Sequence, residues 1–128
     1  MHYLYRITNE SGIIVYIGQT GNLKARCSDH PQAAAGDTLE FLEIENKSYA
    51  LMAESSLIRH YLPVRNGQWG CNEQVSKIDL DAILSSEWSF LKKFLRTNYQ
   101  LLAKAMQAAK NDMVFDYMNT VSWRCNRG

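Results

Sequence analysis

Two short runs near the start of the chain, YLYRIT at 3–8 and IIVYI at 13–17, are separated only by Asn9-Glu10-Ser11-Gly12. Both runs are built from β-branched and aromatic residues, and the four residues between them are turn formers. The stretch therefore reads as a β-hairpin. It commits the fold to an antiparallel sheet and excludes an all-helical architecture. If the four turn residues are the loop, Thr8 faces Ile13, Ile7 faces Ile14 and Tyr5 faces Tyr16, which sets two phenols side by side on one face. On this register Gly18 ends the second strand.

Thr20 or Asn22 can cap a short helix over 22–30, on which Arg26 and His30 are four apart and share a face. Pro31 stops that helix. AAAGD is a loop, and TLEFLEIE at 38–45 is a third strand. Ser48 can cap a helix over 49–61 whose apolar arc holds Ala50, Leu51, Leu57, Ile58 and Tyr61, with Ser55, Ser56, Arg59 and His60 on the polar side. Glu54 falls in the middle of the apolar arc. A carboxylate there is costly unless it is paired, protonated or bound to a metal, which makes it a candidate functional group. Pro63 ends the helix, and Asn66-Gly67 is a turn.

From Asp79 the pattern changes. Leu84, Trp88, Leu91, Leu95, Asn98, Leu102, Ala105 and Ala109 alternate spacings of four and three. This predicts one long amphipathic helix, or two stacked end to end, with a second short helix over 112–119. Asn98 takes a seam position, and a homodimer through residues 84–109 is one expectation. The rival is that the stripe folds back on residues 1–78, leaving Lys93, Arg96 and Lys104 outward to follow a DNA backbone. The hairpin, the third strand and the helices between them make the class α+β over residues 1–78, with a C-terminal helical extension (79–128).

Composition narrows the classes further. At 128 residues the chain is one domain, or one small domain with an appendage. It has no apolar run near the ~20 residues of a membrane span, so no membrane partner is expected. Cys27, Cys71 and Cys125 are odd in number and widely spaced, which suits free thiols in a reducing cytoplasm. Cys27 and His30 could begin a metal site, but no second pair stands near them. The formal net charge of +1 does not announce a nucleic-acid binder, although it permits one if basic residues cluster.

Taken in order, Tyr5, Tyr16, Arg26, His30, Glu54 and Asn66 resemble the GIY-YIG nuclease family. The second half of that name stands intact as Tyr16-Ile17-Gly18, and the first half appears as Tyr3-Leu4-Tyr5. QTGNLKARCSDH is similar to the family's Arg-x3-His segment, and AESSLIRHYLPVRN to the segment carrying its metal-binding glutamate and later asparagine. The resemblance covers residues 3 to about 67. One departure is that Tyr3 replaces the glycine of GIY, a bulkier group that could narrow the approach to the cleft. The resemblance implies a small central three-stranded sheet flanked by helices, and cutting of nucleic-acid phosphodiesters, here DNA, with a divalent cation, Mg²⁺ or Mn²⁺.

Hydrolysis of a phosphodiester needs an activated water, a cation on the phosphoryl oxygens and help for the departing oxygen. Glu54 is the hard oxygen ligand for the metal, and a single carboxylate suits one ion rather than two. Arg26 is the fixed positive fork for a phosphate oxygen. Tyr5 is the expected water activator, with Tyr16 and His30 positioning the water or phosphate and His30 able to relay the proton. Asn66 orders the site, and Lys24 and Arg65 are candidate substrate contacts. Two other readings stand beside the free endonuclease. One is a nucleic-acid-binding or assembly module that kept the fold without turnover. The other is a nuclease active only within a larger repair or mobile-element complex, which the near-neutral charge favours because few phosphate contacts mean weak binding alone.

Overall fold

The computed structural model describes residues 1–67 and 79–111. Strands β1 (His2–Thr8) and β2 (Ile14–Thr20) form the hairpin, followed by helix α1 (Leu23–Cys27), strand β3 (Thr38–Ile44) and helix α2 (Lys47–Tyr61). Helix α3 (Leu80–Leu84), strand β4 (Ser89–Lys93) and a helix α4 over 99–111 complete the described chain. The class is α+β, as expected, but the antiparallel sheet has four strands in the order β2-β1-β3-β4 rather than three. No helix of the described residues is long and apolar enough to cross a membrane.

The hairpin has a different register from the one its turn composition suggests. Asn9 Oδ1 accepts from the backbone N–H of both Ser11 and Ile13, and Gly12 takes the positive φ of 81° that closes the loop. Thr8 then pairs with Ile14, and Ile7 pairs with Tyr16. Val15 is the extra residue of a bulge. Beyond the bulge Tyr5 faces Gly18, not Tyr16, and the two phenols meet diagonally on one sheet face. Gly18 does not end β2. It sits beneath the Tyr5 ring, in space that a Cβ would share with the phenol, as a glycine inside a strand often does where another group approaches closely.

Two layers cover the sheet. Leu4 and Ile17 on one face pack against Ala53, Leu57 and Ile58 of α2 and Ile83 of α3. Tyr5, Ile7, Val15 and Leu39 on the other face pack against Leu23 and Cys27 of α1, Ala33 and Phe94. Asn46, not Ser48, caps α2 by accepting from Tyr49 N–H. Starting two residues earlier, the helix buries Ala50, Ala53, Ser56, Leu57 and Ile58, while Leu51 and Tyr61 of the expected arc are exposed. Leu62, at φ 49°, closes α2 by donating to Ile58 O, and Pro63 follows.

The region from 84 to 109 is not one helix, nor two in line. The Ser85 and Ser86 hydroxyls donate to backbone carbonyls of α3 and end it after one turn. Residues 89–93 then pair with the open edge of β3, so strand pairing overrides the helical spacing. The residues of the expected seam go separate ways. Trp88 lies under the Arg6 guanidinium at 4.5 Å, Leu91 is in β4, and Asn98 caps α4 through its contact with Gln100 N–H. The homodimer expectation rested on a continuous helical face. That face does not exist, so the expectation is withdrawn. The helix expected over 112–119 lies outside the described residues.

The close approach at Gly18 gives a stability test. Gly18→Ala should displace the buried Tyr5 ring and cost about 1–3 kcal/mol, the usual penalty for overpacking, measured by urea unfolding of the variant against the wild type.

Candidate active site

Four of the six core site residues converge on the α1 face of the sheet. The Tyr5 and Tyr16 rings stack at 6.1 Å with an interplanar angle of 25°. The His30 ring stands edge-on to both, at 5.5 and 4.7 Å. α1, capped by Asn22 Oδ1 on Ala25 N–H, brings Arg26 against both phenol oxygens. The helix ends at Cys27, so His30 is not on its face as expected. Pro31 disfavours helical backbone at His30, and the chain turns inward there, burying the imidazole completely.

The His30 hydrogen bonds settle its protonation. Gln32 N–H donates to Nδ1 at 3.0 Å, so Nδ1 must keep its lone pair. Burial, and secondarily Arg26, lowers the imidazole pKa to about 4, so the ring is neutral near pH 7. Its one proton is on Nε2 and is donated to Tyr5 Oη at 2.8 Å. A proton relay from Tyr5 through His30 does not fit this arrangement, because Nε2 is already protonated and Nδ1 is occupied.

Tyr5, the expected water activator, is the more deeply buried of the two phenols. It is only 1% exposed, and burial, reinforced by Tyr16, pushes its phenol well above the ordinary range against the pull of Arg26. Tyr16 is half-buried and is the phenol that solvent reaches. Arg26 is itself held charged: burial works against it, but the Tyr5 and then the Tyr16 oxygens outweigh that and raise its pKa.

Glu54 of α2 meets the same strand, β2, from the other side of the sheet. Burial raises its carboxyl pKa to about 7, opposed by a hydrogen bond from the Gln19 backbone N–H, one residue past Gly18. Arg26 takes no part in that balance. Asn66 holds the free edge of the same strand: Nδ2 donates to Ile17 O at 2.9 Å, and Oδ1 accepts from Ile17 N–H at 3.0 Å. Arg65 N–H adds a bond to Val15 O. Lys24 is exposed on α1, whereas Arg65 Nη1 already bonds Gln32 O and the buried carboxylate of Asp37.

Glu54 is the carboxylate in the set that could hold a metal. Among the described residues no three His, Cys, Asp or Glu side chains gather into a cage. One carboxylate, with the remaining positions left to water and substrate phosphate, is how Mg²⁺ is commonly bound. A half-buried carboxyl that resists ionisation gains from a nearby cation. The chemistry of this carboxylate therefore fits a divalent ion.

Sequence reasoning did not single out Gln19, Gln32 or Asp37. The first two act through backbone N–H groups, which no side-chain pattern marks. Asp37 follows Gly36 at a loop end, where an acidic residue reads as ordinary turn chemistry.

Residues 1–68 match the GIY-YIG catalytic domain, and the chain belongs to the GIY-YIG family of nucleases. It is similar to the UvrABC system protein C of Methanococcus maripaludis, 33% identical over 75 residues, covering 50% of this chain and 14% of that protein. The protein of the same name from Deinococcus radiodurans is 32% identical over 72 residues, covering 50% of this chain and 11% of its own length. The chain thus spans only a small part of these relatives. No solved structure gives a significant match.

The buried neutral His30 predicts a pH dependence. Its folded pKa lies below the unfolded value, so between about 6.5 and 4 the unfolded chain binds the extra proton and stability falls as the pH falls. His30→Gln should lose less thermal stability than wild type across that window, compared by melting at pH 7 and pH 4.5.

Proposed function

We propose that this chain is an endonuclease that hydrolyses DNA phosphodiester bonds with one divalent cation, Mg²⁺ or Mn²⁺, held by Glu54. The observation that carries the reading is the convergence of Tyr16, Tyr5, His30 and Arg26 on one face, with the Glu54 carboxylate tied to the same strand through Gln19.

Tyr16 orients the attacking water through its phenol oxygen, because it is the phenol open to solvent. Tyr5 supports it from behind, fixed by His30 Nε2–H, and acts as a positioning residue. Arg26 binds a non-bridging phosphate oxygen and steadies the charge that builds there. Asn66 keeps β2 in place, so that Tyr16 and the Glu54 anchor hold their spacing. Lys24 supplies a backbone phosphate contact. Arg65 is the weaker substrate candidate because Asp37 already engages it. When bound, the ion neutralises charge on the phosphoryl oxygens and the departing 3′ oxygen.

A second reading, that the chain cuts only inside a larger assembly, is favoured by two observations. The net charge is +1, and the relatives, named as parts of a UvrABC system, are far longer than the matched region. A cytoplasmic setting suits the buried free thiol of Cys27 under either reading.

Nicking of supercoiled plasmid in Mg²⁺ and its loss in EDTA is the direct test, and no nicking by the isolated chain would favour the assembly reading. Glu54→Gln should abolish nicking while melting at or above the wild-type temperature, since it removes a charge that burial disfavours. A variant that nicks normally would take Glu54 out of the site.

Arg26→Ala and Tyr16→Phe should each lower turnover by about 10²–10³ at near-normal stability. Tyr5→Phe should differ by also losing about 1–3 kcal/mol of stability, because it strands the buried His30 N–H. If Tyr16→Phe cuts normally and Tyr5→Phe is inactive, Tyr5 is the water activator after all.

A further inference from the structure

The sheet face that carries Tyr5 also borders a cavity that the catalytic reading leaves unused. It measures about 760 Å³, and its lining draws on α1, β1, β3 and β4. Tyr3 and Phe41 meet edge to face in it, with ring centroids 6.0 Å apart. Lys24, Lys92, Glu43 and Leu91 also line it. Lys92 is held by donating to Ser28 O at 2.9 Å, and Lys24, Glu43 and Leu91 are exposed.

The cavity adjoins the candidate active site through the backbone. Tyr3 is two residues before Tyr5 on the same face of β1, and Phe41 pairs directly with Tyr5 across β3. Cys27, which lines the cavity from α1, is the neighbour of Arg26. Position 3 is also where the chain carries a tyrosine instead of the glycine of the GIY motif.

The lining selects among ligands. The volume falls within the ~300–1,000 Å³ of small-ligand sites. Two half-buried aromatic rings offer π faces and edges, and two ammonium groups favour an anion over a cation or a purely apolar guest. Aromatic side chains combined with cationic side chains make up the chemistry that binds an unstacked nucleotide. The Glu43 carboxylate adds an acceptor for an exocyclic amino group.

We infer that this cavity receives an unstacked nucleobase of the nucleic-acid strand, its ring against Tyr3 and Phe41 and the adjoining phosphates near Lys24 and Lys92. The inference rests on the nucleic-acid reading above, and its test does not require cleavage.

The probe is a single-stranded DNA of ~10 nucleotides, within the usual span of such binding sites, carrying one central 2-aminopurine and titrated with the full chain in EDTA. Wild type should quench the 2-aminopurine fluorescence as the base stacks. Tyr3→Leu/Phe41→Leu, which keeps the apolar volume, should lose the quench and bind about tenfold more weakly or worse. Melting of the double variant checks that it is folded. If it is not, Leu91→Asp decides, because it places a negative charge at an exposed position in the lining and should weaken binding without touching the core.

Binding by wild type with unchanged fluorescence, or equal quenching by wild type and a folded double variant, would overturn the inference. Quenching without plasmid nicking removes the free-standing nuclease alone, and nicking without quenching removes the base pocket alone.

Discussion

The free edge of β2 is the constraint on which the rest of the site depends. An outer strand leaves a row of backbone groups unpaired, and each must find a partner or water. Here the residues that point outward are claimed in turn: Val15 O by the Arg65 backbone, both groups of Ile17 by the Asn66 side chain, and Gln19 N–H by Glu54. The asparagine amide imitates a neighbouring strand, presenting one donor and one acceptor where a peptide unit would. Satisfying this edge also draws the middle of α2 and the segment after the helix to the strand that carries Tyr16. Edge protection and site assembly are thus the same set of hydrogen bonds.

The opposite face works by electrostatic exclusion. A neutral His30 donates to Tyr5, and Arg26 is the cation among the groups packed there. Burial discourages charge on Tyr5 and His30, while the phenol oxygens keep Arg26 charged. Under the proposed function, a phosphate at Arg26 would meet a positive group at an exposed position beside the neutral, buried His30. The thiol of Cys27 adds nothing reactive, because burial pushes its pKa up to about 11.

Much of this was legible in the sequence, for physical reasons that differ from residue to residue. The hairpin could be read because turn chemistry is local, but its register could not. The bulge at Val15 adds a residue to β2 that the composition of the turn does not mark, and it sets Tyr5 over Gly18. Glu54 stood out because a carboxylate on an apolar arc violates the ordinary partition of charge, and burial does shift it. The error over 84–109 came from trusting periodicity across a stretch whose partner was remote. A four-three spacing looks helical in isolation, whereas the open edge of β3 decides that SFLKK extends a sheet. Asn98, read as an interruption in a seam, instead anchors the start of α4 by donating to Asp29 Oδ1 at 3.0 Å and to Ala33 O at 2.9 Å.

The fourth strand separates two meanings of the word domain. The part that matches the family stops at residue 68, yet Ile83 lies in one core layer, Phe94 in the other, and β4 closes the far side of the sheet. A fragment ending where the family likeness ends would expose the whole outer margin of β3, a template for pairing with another chain. The unit of inheritance and the unit of folding have different borders here. A graft that moves the catalytic segment into another protein would have to bring a substitute for residues 79–98, or else find one in its new host.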